Sequence, residues 1–329
     1  MPVDLTIEGL AVGHYSDWEN LTGCTVVLAP EGAVASVDIR GGAPGTLDTA
    51  LLSPYASVCE LHAVLLTGGS APGLGAAAGV STFLREKGLG YCTPYARVPL
   101  VSAAVIYDLG VGRCDVCPVP DNAYQAAACA TSRVEEGSVG VGTGATVGKI
   151  FGGKGMMKGG VGMATVLVGS EPATVTALTV VNALGDVIDE RGEVLAGALR
   201  DGVFARSTEV LLGAPSVPKF HPLDSTTLSV VMTDARLDKL QCGIVARMSH
   251  DGLARAINPV HTPVDGDCVF VLATGPKEGN VFQVGAGAAL AVERSIRRAV
   301  RMATSIGGIP AVSDRDAPGI PGNGAEEQT

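Results

Sequence analysis

The sequence predicts a layered α/β sandwich with mixed sheets, and three observations predict it. Short apolar runs rich in β-branched residues recur along the chain, each bounded by glycine. Amphipathic, alanine-rich stretches with helical spacing lie between some of these runs. The order is not a strict strand–helix alternation; strands come in pairs and helices come in pairs, which suits sheets covered by helices better than one doubly wound parallel sheet.

In chain order, strands are expected at 24–28, 63–67, 100–106, 164–168, 175–181, 228–232 and 268–273. Helices are expected at 71–87, stopped by Gly88; at 121–134; at 235–249, with Asp234 as the capping side chain; and at 286–304. In the last of these Leu290, Val292, Ile296, Val300 and Met302 mark one face and arginines the other. The stretch 207–224 holds three prolines without periodicity and reads as an exposed linker running into Ser225, Thr226 and Thr227. Residues 1–312 read as a single domain. The tail 313–329, rich in Gly, Pro and charge, is expected to be disordered.

Composition narrows the function. Of 329 residues, 47% are hydrophobic and 17% charged, as in an ordinary globular interior. Aromatics contribute only 4% while glycine numbers 45, so Val, Ala, Leu and Ile must build the core and the backbone must approach itself closely in many places. The net charge of 23 − 33 = −10, with no Lys/Arg cluster, argues against nucleic-acid binding. The start MPVDLTIEGL lacks a secretory pattern, and no run approaches the ~18 apolar residues of a membrane span, so a cytoplasmic protein is expected. The eight cysteines are scattered and read as packing residues. Cys114 and Cys117 form the one CxxC, without a second ligand pair.

The common catalytic patterns are missing. The five histidines fall into no HExxH, and there is no GxSxG elbow. Gly148 to Lys154 fits GxxxxGK, but Gly155 follows where a phosphate loop needs a hydroxyl. No cofactor or metal is therefore expected. A chemistry that needs no histidine is that of a threonine freed as a chain N-terminus: its Oγ attacks and its own α-amine, with a reference pKa of about 7.7–8.0, takes the proton. The segment Asp224-Ser225-Thr226-Thr227-Leu-Ser-Val-Val-Met has the required form, a hydroxyl residue heading a buried strand after a loop.

Several collinear segments carry a family resemblance. They are Arg40-Gly-Gly-Ala-Pro-Gly-Thr46, Leu65-Leu-Thr-Gly-Gly-Ser70, Val98-Pro-Leu-Val-Ser-Ala-Ala-Val-Ile-Tyr-Asp108, Gly140-Val-Gly-Thr-Gly-Ala145, Thr226-Thr-Leu-Ser-Val-Val-Met-Thr-Asp-Ala235 and Asp265-Gly-Asp267. Over about residues 5–307 the chain resembles the self-processing aminopeptidases that include L-aminopeptidase/D-esterase and the β-peptidyl aminopeptidases. The resemblance implies a four-layer α/β/β/α sandwich and cleavage between Ser225 and Thr226 into chains 1–225 and 226–329. It also implies assembly into a homo-oligomer, a tetramer of αβ units, acting on small peptides or amides. It makes Thr226 the nucleophile and Asn182 the oxyanion donor, and gives Asp265 and Asp267 the orienting of the Thr226 amine or the holding of a substrate ammonium. The chain departs from the family at Ser225, where Gly or Asn is usual. It also departs in the Gly-rich stretch, where no tyrosine aligns and Lys149 is the nearest polar candidate, and at Pro72, Gly75 and Ser102. Two other outcomes stay open on the same fold: an acyltransferase of the ornithine acetyltransferase type, with an amine in place of water, and an unprocessed binding protein.

Overall fold

The computed structural model describes residues 2–214 and 225–315. The elements that carry the architecture are β1 (Ala11–Asp17), β2 (Thr22–Ile39), β3 (Glu60–Thr67), α1 (Ala77–Glu86), β4 (Val101–Val105), α2 (Pro120–Ala128), β5 (Gly160–Val168), β6 (Ala173–Asn182), α3 (Ser207–Gly213), β7 (Thr226–Ala235), α4 (Lys239–Ala256), β8 (Cys268–Lys277) and α5 (Val281–Met302).

One nine-stranded mixed sheet runs β5-β6-β7-β8-β2-β3-β4 and ends at the short strand Thr46–Leu47, with β1 added on β2. The pairs β7–β8 and β3–β4 are parallel, whereas β5–β6, β6–β7, β8–β2 and β2–β3 are antiparallel. The 18-residue β2 joins two halves. Its first part pairs with β1 and β3, its last part, Val34 to Ile39, pairs with β8, and the register shifts between Leu28 and Ala33. The sheet folds over on itself there. Val27, Val64, Leu66 and Ala104 from one half then share a buried cluster with Leu178, Val180, Leu228, Val230 and Phe270 from the other.

The side-chain period of two sends the alternate residues outward. Val26 and Leu65 pack under Val80 and Leu84 of α1 and Ala123 and Ala126 of α2. Val175, Val231 and Val271 pack under Val245 and Leu253 of α4 and Val292 and Ile296 of α5. The result is the expected α/β/β/α stack. Because both sheet halves are covered on both faces, central strands show no solvent-facing side; all ten residues of β7 are buried. Each buried Val, Leu, Ile or Phe contributes roughly 1.5–3 kcal/mol.

Every expected strand is present, mostly with added residues at its ends. The helices differ more. The stretch 71–87 is interrupted by a 3₁₀ turn, Leu74–Ala76, beside Pro72 and Gly75, which cannot sustain a regular first turn. The helix expected at 121–134 ends at Ala128, and Arg133–Val134 instead pairs with Val3–Asp4. The helix expected at 235–249 begins at Lys239. Asp238 caps it by accepting from the Gln241 N–H at 2.7 Å. Asp234 instead accepts the Thr174 N–H at 2.6 Å and meets Lys277 at 3.0 Å, because ladder bonds on both sides keep β7 extended through Ala235. The last helix starts five residues earlier than expected, at Val281, with Asn280 capping the Phe282 N–H. Within the expected linker, Ser207–Gly213 is helical, its first residue held by Asp186; the remainder, 215–224, lies outside the described residues. Of the tail, Val312–Arg315 forms a helical turn and 316–329 lies outside the described residues. No helix among the described residues is long and apolar enough to cross a membrane.

Candidate active site

Topology assembles the site. The parallel pair β7–β8 brings the heads of both strands to one end of the sheet, and antiparallel β6 brings its tail there. Thr226, first residue of β7, therefore faces Asn182, last residue of β6, across the ladder. On its other side Ser225 bridges Asp265 just ahead of β8. Residues 44 and 39 positions from Thr226 in sequence thus become its neighbours, and all are buried.

Thr226 Oγ1 donates to the Ser225 carbonyl oxygen at 2.5 Å. That same oxygen accepts the Gly266 N–H at 2.9 Å. A Cβ on Gly266 would stand 2.8 Å from Thr226 Oγ1 and 2.9 Å from the Ala43 carbonyl oxygen, so glycine is what lets this loop close over the hydroxyl. The strap Arg40-Gly41-Gly42-Ala43 holds the loop from above. The Arg40 and Gly41 N–H groups donate to the Asp267 carbonyl at 2.9 and 3.2 Å, and the Ala43 N–H donates to that of Asp265 at 2.8 Å.

The two carboxyls have different partners. Asp267 Oδ1 accepts the Thr227 N–H at 2.6 Å, and its Oδ2 accepts the His261 backbone N–H at 3.1 Å and Nδ1–H at 2.8 Å. Asp265 Oδ2 accepts the Thr262 N–H at 3.0 Å and the Thr262 hydroxyl, and its Oδ1 accepts the Leu184 N–H at 3.4 Å. Burial, and next the charge of Asp267, push the Asp265 carboxyl up to about 6, against the smaller opposing pull of these donors.

On the other side, Asn182 Oδ1 accepts Lys149 Nζ at 2.8 Å and the Thr146 N–H at 3.0 Å, while Lys149 Nζ also donates to the Asn182 carbonyl at 2.9 Å. With its oxygen so occupied, the amide is oriented: Nδ2 donates one N–H to the Tyr107 carbonyl at 3.1 Å, and a second N–H remains on that nitrogen. The glycine-rich run forms the floor. Gly140–Thr143 is a 3₁₀ turn whose carbonyls at Gly142 and Thr143 take the fully buried Lys158 Nζ at 3.4 and 2.7 Å. Burial lowers that ammonium to about 7 and raises the nearby Asp108 carboxyl.

The structure thus brings together Ser225, Thr226, Asn182, Lys149, Asp265 and Asp267. The loop after Gly148, which resembles a phosphate loop, serves to deliver Lys149 to Asn182. Cys114 is exposed, Cys117 is half-buried, and neither forms a disulfide. Among the described residues no His/Cys/Asp/Glu group is arranged to hold a metal ion.

The model of peptidase family S58 matches residues 5–312. The chain belongs to peptidase family S58. It is a hydrolase of the aminopeptidase class. It is similar to an uncharacterized aminopeptidase of Mycobacterium tuberculosis, 40% identical over 94% of this chain and 96% of that one. It is also similar to a 6-aminohexanoate-oligomer endohydrolase of Paenarthrobacter ureafaciens, 34% identical over 81% of this chain and 73% of that one. The S58 chain also shares its fold with two solved structures. A Burkholderia sp. beta-aminopeptidase gives a TM-score of 0.69 at 22% identity, covering 96% of this chain and 94% of that one. The L-aminopeptidase D-Ala-esterase/amidase of Ochrobactrum anthropi, described as a variant of the Ntn hydrolase fold, gives 0.69 at 20% identity, covering 92% and 87%.

Three neighbours in this S58 site were not singled out in the sequence. Tyr107 takes part through its carbonyl, which no side-chain reasoning detects. Gly266 left a signal, a glycine between two acids, where a close backbone approach is the natural expectation. His261 stands four residues before Asp265, but its relation to Asp267 depends on how the loop folds back.

Proposed function

We propose that this S58 chain is a self-processing N-terminal-threonine aminopeptidase or amidase that cuts itself between Ser225 and Thr226 and then hydrolyses small peptides or amides. The observation that carries the reading is the contact of Thr226 Oγ1 with the carbonyl of its own preceding residue at 2.5 Å, in a buried setting between Asn182 and the acid pair.

In self-cleavage Thr226 Oγ attacks the Ser225 carbonyl carbon. The C–N bond breaks, an ester to Oγ forms, and the hydroxyl proton passes to the departing α-nitrogen. Water then opens the ester, leaving a Ser225 carboxylate and the free threonine. The Gly266 N–H already donates to the oxygen that becomes the oxyanion. In turnover the free α-amine takes the Oγ proton, Oγ acylates on the substrate, and the remaining Asn182 N–H donates to the oxyanion. Lys149 keeps that amide oriented. Water releases the acyl group. The acidic side, Asp265 and Asp267, is suited to orient the new amine or to receive a substrate ammonium. The names of the relatives, an aminopeptidase and a 6-aminohexanoate-oligomer endohydrolase, support a substrate joined by an amide bond.

Thr226→Ala tests the reading. It should remain one full-length, inactive chain by intact mass, whereas Thr226→Ser should still be cut. Normal cleavage of Thr226→Ala would assign the nucleophile elsewhere.

A further inference from the structure

A third side chain stands behind the acid pair. His261 is mostly buried, with its ring 20% exposed, and its Nδ1 lies 2.8 Å from Asp267 Oδ2. Its backbone is held at φ +54°, a left-handed conformation that few non-glycine residues adopt. That conformation turns both its N–H and its ring toward the same carboxylate oxygen. Facing an acceptor, Nδ1 carries the proton. Nε2 is buried with no hydrogen-bond partner among the described residues.

Every element packed on this ring has a part. His250 of α4 meets it edge-on at 4.8 Å between centroids. His250 is itself fully buried; its Nε2 lies 3.1 Å from the Asp38 carbonyl oxygen and 3.6 Å from the Asp38 carboxylate, which Arg40 pairs at 3.0 Å. Burial holds His250 down at about 4, so it stays neutral and adds no charge beside His261. Among the described residues, Asp265 and Asp267 are the acidic groups of the same loop. A continuous line therefore runs from the Arg40–Asp38 pair through His250 and His261 to Asp267, and from Asp267 to the Thr227 N–H directly behind the nucleophile.

We infer that His261 is a positioning residue for the proposed reaction: through its backbone N–H and Nδ1–H it holds Asp267 Oδ2, which keeps Oδ1 on the Thr227 N–H and so fixes the head of β7. Asp265 receives donors from Thr262 and Leu184, the latter long at 3.4 Å. Asp267 receives the short Thr227 N–H and the two His261 donors on its other oxygen. Removing the ring takes away a charge-assisted bond, so Asp267 becomes easier to protonate and its grip on Thr227 is lost at a higher pH. Asparagine tolerates the left-handed backbone and carries an amide N–H that can replace Nδ1–H.

The inference rests on the proposed self-processing reading, and the experiment separates the two. Wild type, His261→Ala and His261→Asn are expressed as full chains, and the rates of self-cleavage and of amide turnover are followed from pH 4 to 9. In His261→Ala the acidic limb of the self-cleavage profile should move up by about 1–2 pH units, the loss of one charged hydrogen bond converted at 1.36 kcal/mol per unit, while that of turnover follows the Thr226 α-amine. His261→Asn should return the limb toward the wild-type position. A purely structural role lowers the amount of folded protein without moving the limb, and an unmoved limb in soluble His261→Ala overturns the inference. So does a limb displaced equally in His261→Asn. A wild-type chain that is neither cut nor active sinks the underlying reading instead.

Discussion

At the residue scale, the site rests on fixed groups around the Thr226 hydroxyl, which donates to the Ser225 carbonyl, while the buried hydroxyls of Ser225 and Thr227 beside it have no partner among the described residues. Asn182 shows why fixed partners matter. Its oxygen is taken by Lys149 and Thr146 and one amide hydrogen by Tyr107, so the side chain cannot rotate away from the nucleophile. Asn182→Ala should lower turnover by about 10²–10³, the usual effect of losing one oxyanion donor, with the drop in kcat rather than KM. Asp265 makes a stability prediction whose sign can be worked out. Burial and the charge of Asp267 push the Asp265 carboxyl up to about 6, above the ordinary aspartate value of 3.8, so the folded chain binds more protons in that interval. Stability is therefore lost as pH rises through the window, and the penalty is complete above it. In a Thr226→Ala background, which keeps both chains uncut, Asp265→Asn should raise the melting temperature at pH 8. The gain should shrink toward pH 4, and equal effects at both pH values would remove the carboxylate pair as the source of strain.

At the element scale, the decisive features are strand ends and glycines. The order of β6, β7 and β8, with one parallel and one antiparallel pairing, is what gathers Asn182, Thr226 and Asp265–Gly266–Asp267 at one end of the sheet. Glycines then allow the strap 40–43 to lie on the acid loop. A Cβ on Gly41 would fall 2.2 Å from the Asp265 carbonyl oxygen and 2.4 Å from the Asp267 nitrogen, both backbone atoms that cannot yield. Gly41→Ala should thus displace the loop from Thr226 and slow self-cleavage at least tenfold, while leaving the far-ultraviolet dichroism of the sheet intact; unaltered processing would show that the strap is dispensable. The strand cores were legible because buried β-branched runs bounded by glycine have few alternatives, as at 175–181 and 228–232. Helix starts were less legible. The expected cap was Asp234, but Asp238 has Gln241 three residues on and closes a capping box with it, while pairing with β8 keeps β7 extended through Ala235. In the same way Arg133 and Val134 continue a helical pattern until Val3 and Asp4, 130 residues away, offer a strand partner.

At the scale of the whole molecule, the fold buries the proposed nucleophile, Thr226, against its own backbone. The doubled sheet, closed by α4 and α5 on one side and α1 and α2 on the other, keeps β7 dry along its length and leaves its head among polar loops. The class of stack could be read from the pairing of strands with strands and helices with helices. The folding of β2 between its two halves left a mark in Pro30-Glu31-Gly32, where Gly32 has φ +83° and the register shifts, but the partner on each side is not legible in the sequence. The residues carried over by family resemblance, Thr226, Asn182, Lys149, Asp265 and Asp267, all lie together. Their supports, the Tyr107 carbonyl, Gly266 and His261, emerged only once distant segments were in contact. The account turns on whether the chain opens its own backbone at the contact between Thr226 Oγ1 and Ser225. Intact mass and N-terminal sequencing of freshly purified protein test this most directly. The account predicts two polypeptides, one of 104 residues beginning Thr-Thr-Leu-Ser and one ending at Ser225 (329 − 225 = 104). A single chain of 329 residues that persists for days with no such N-terminus would contradict it.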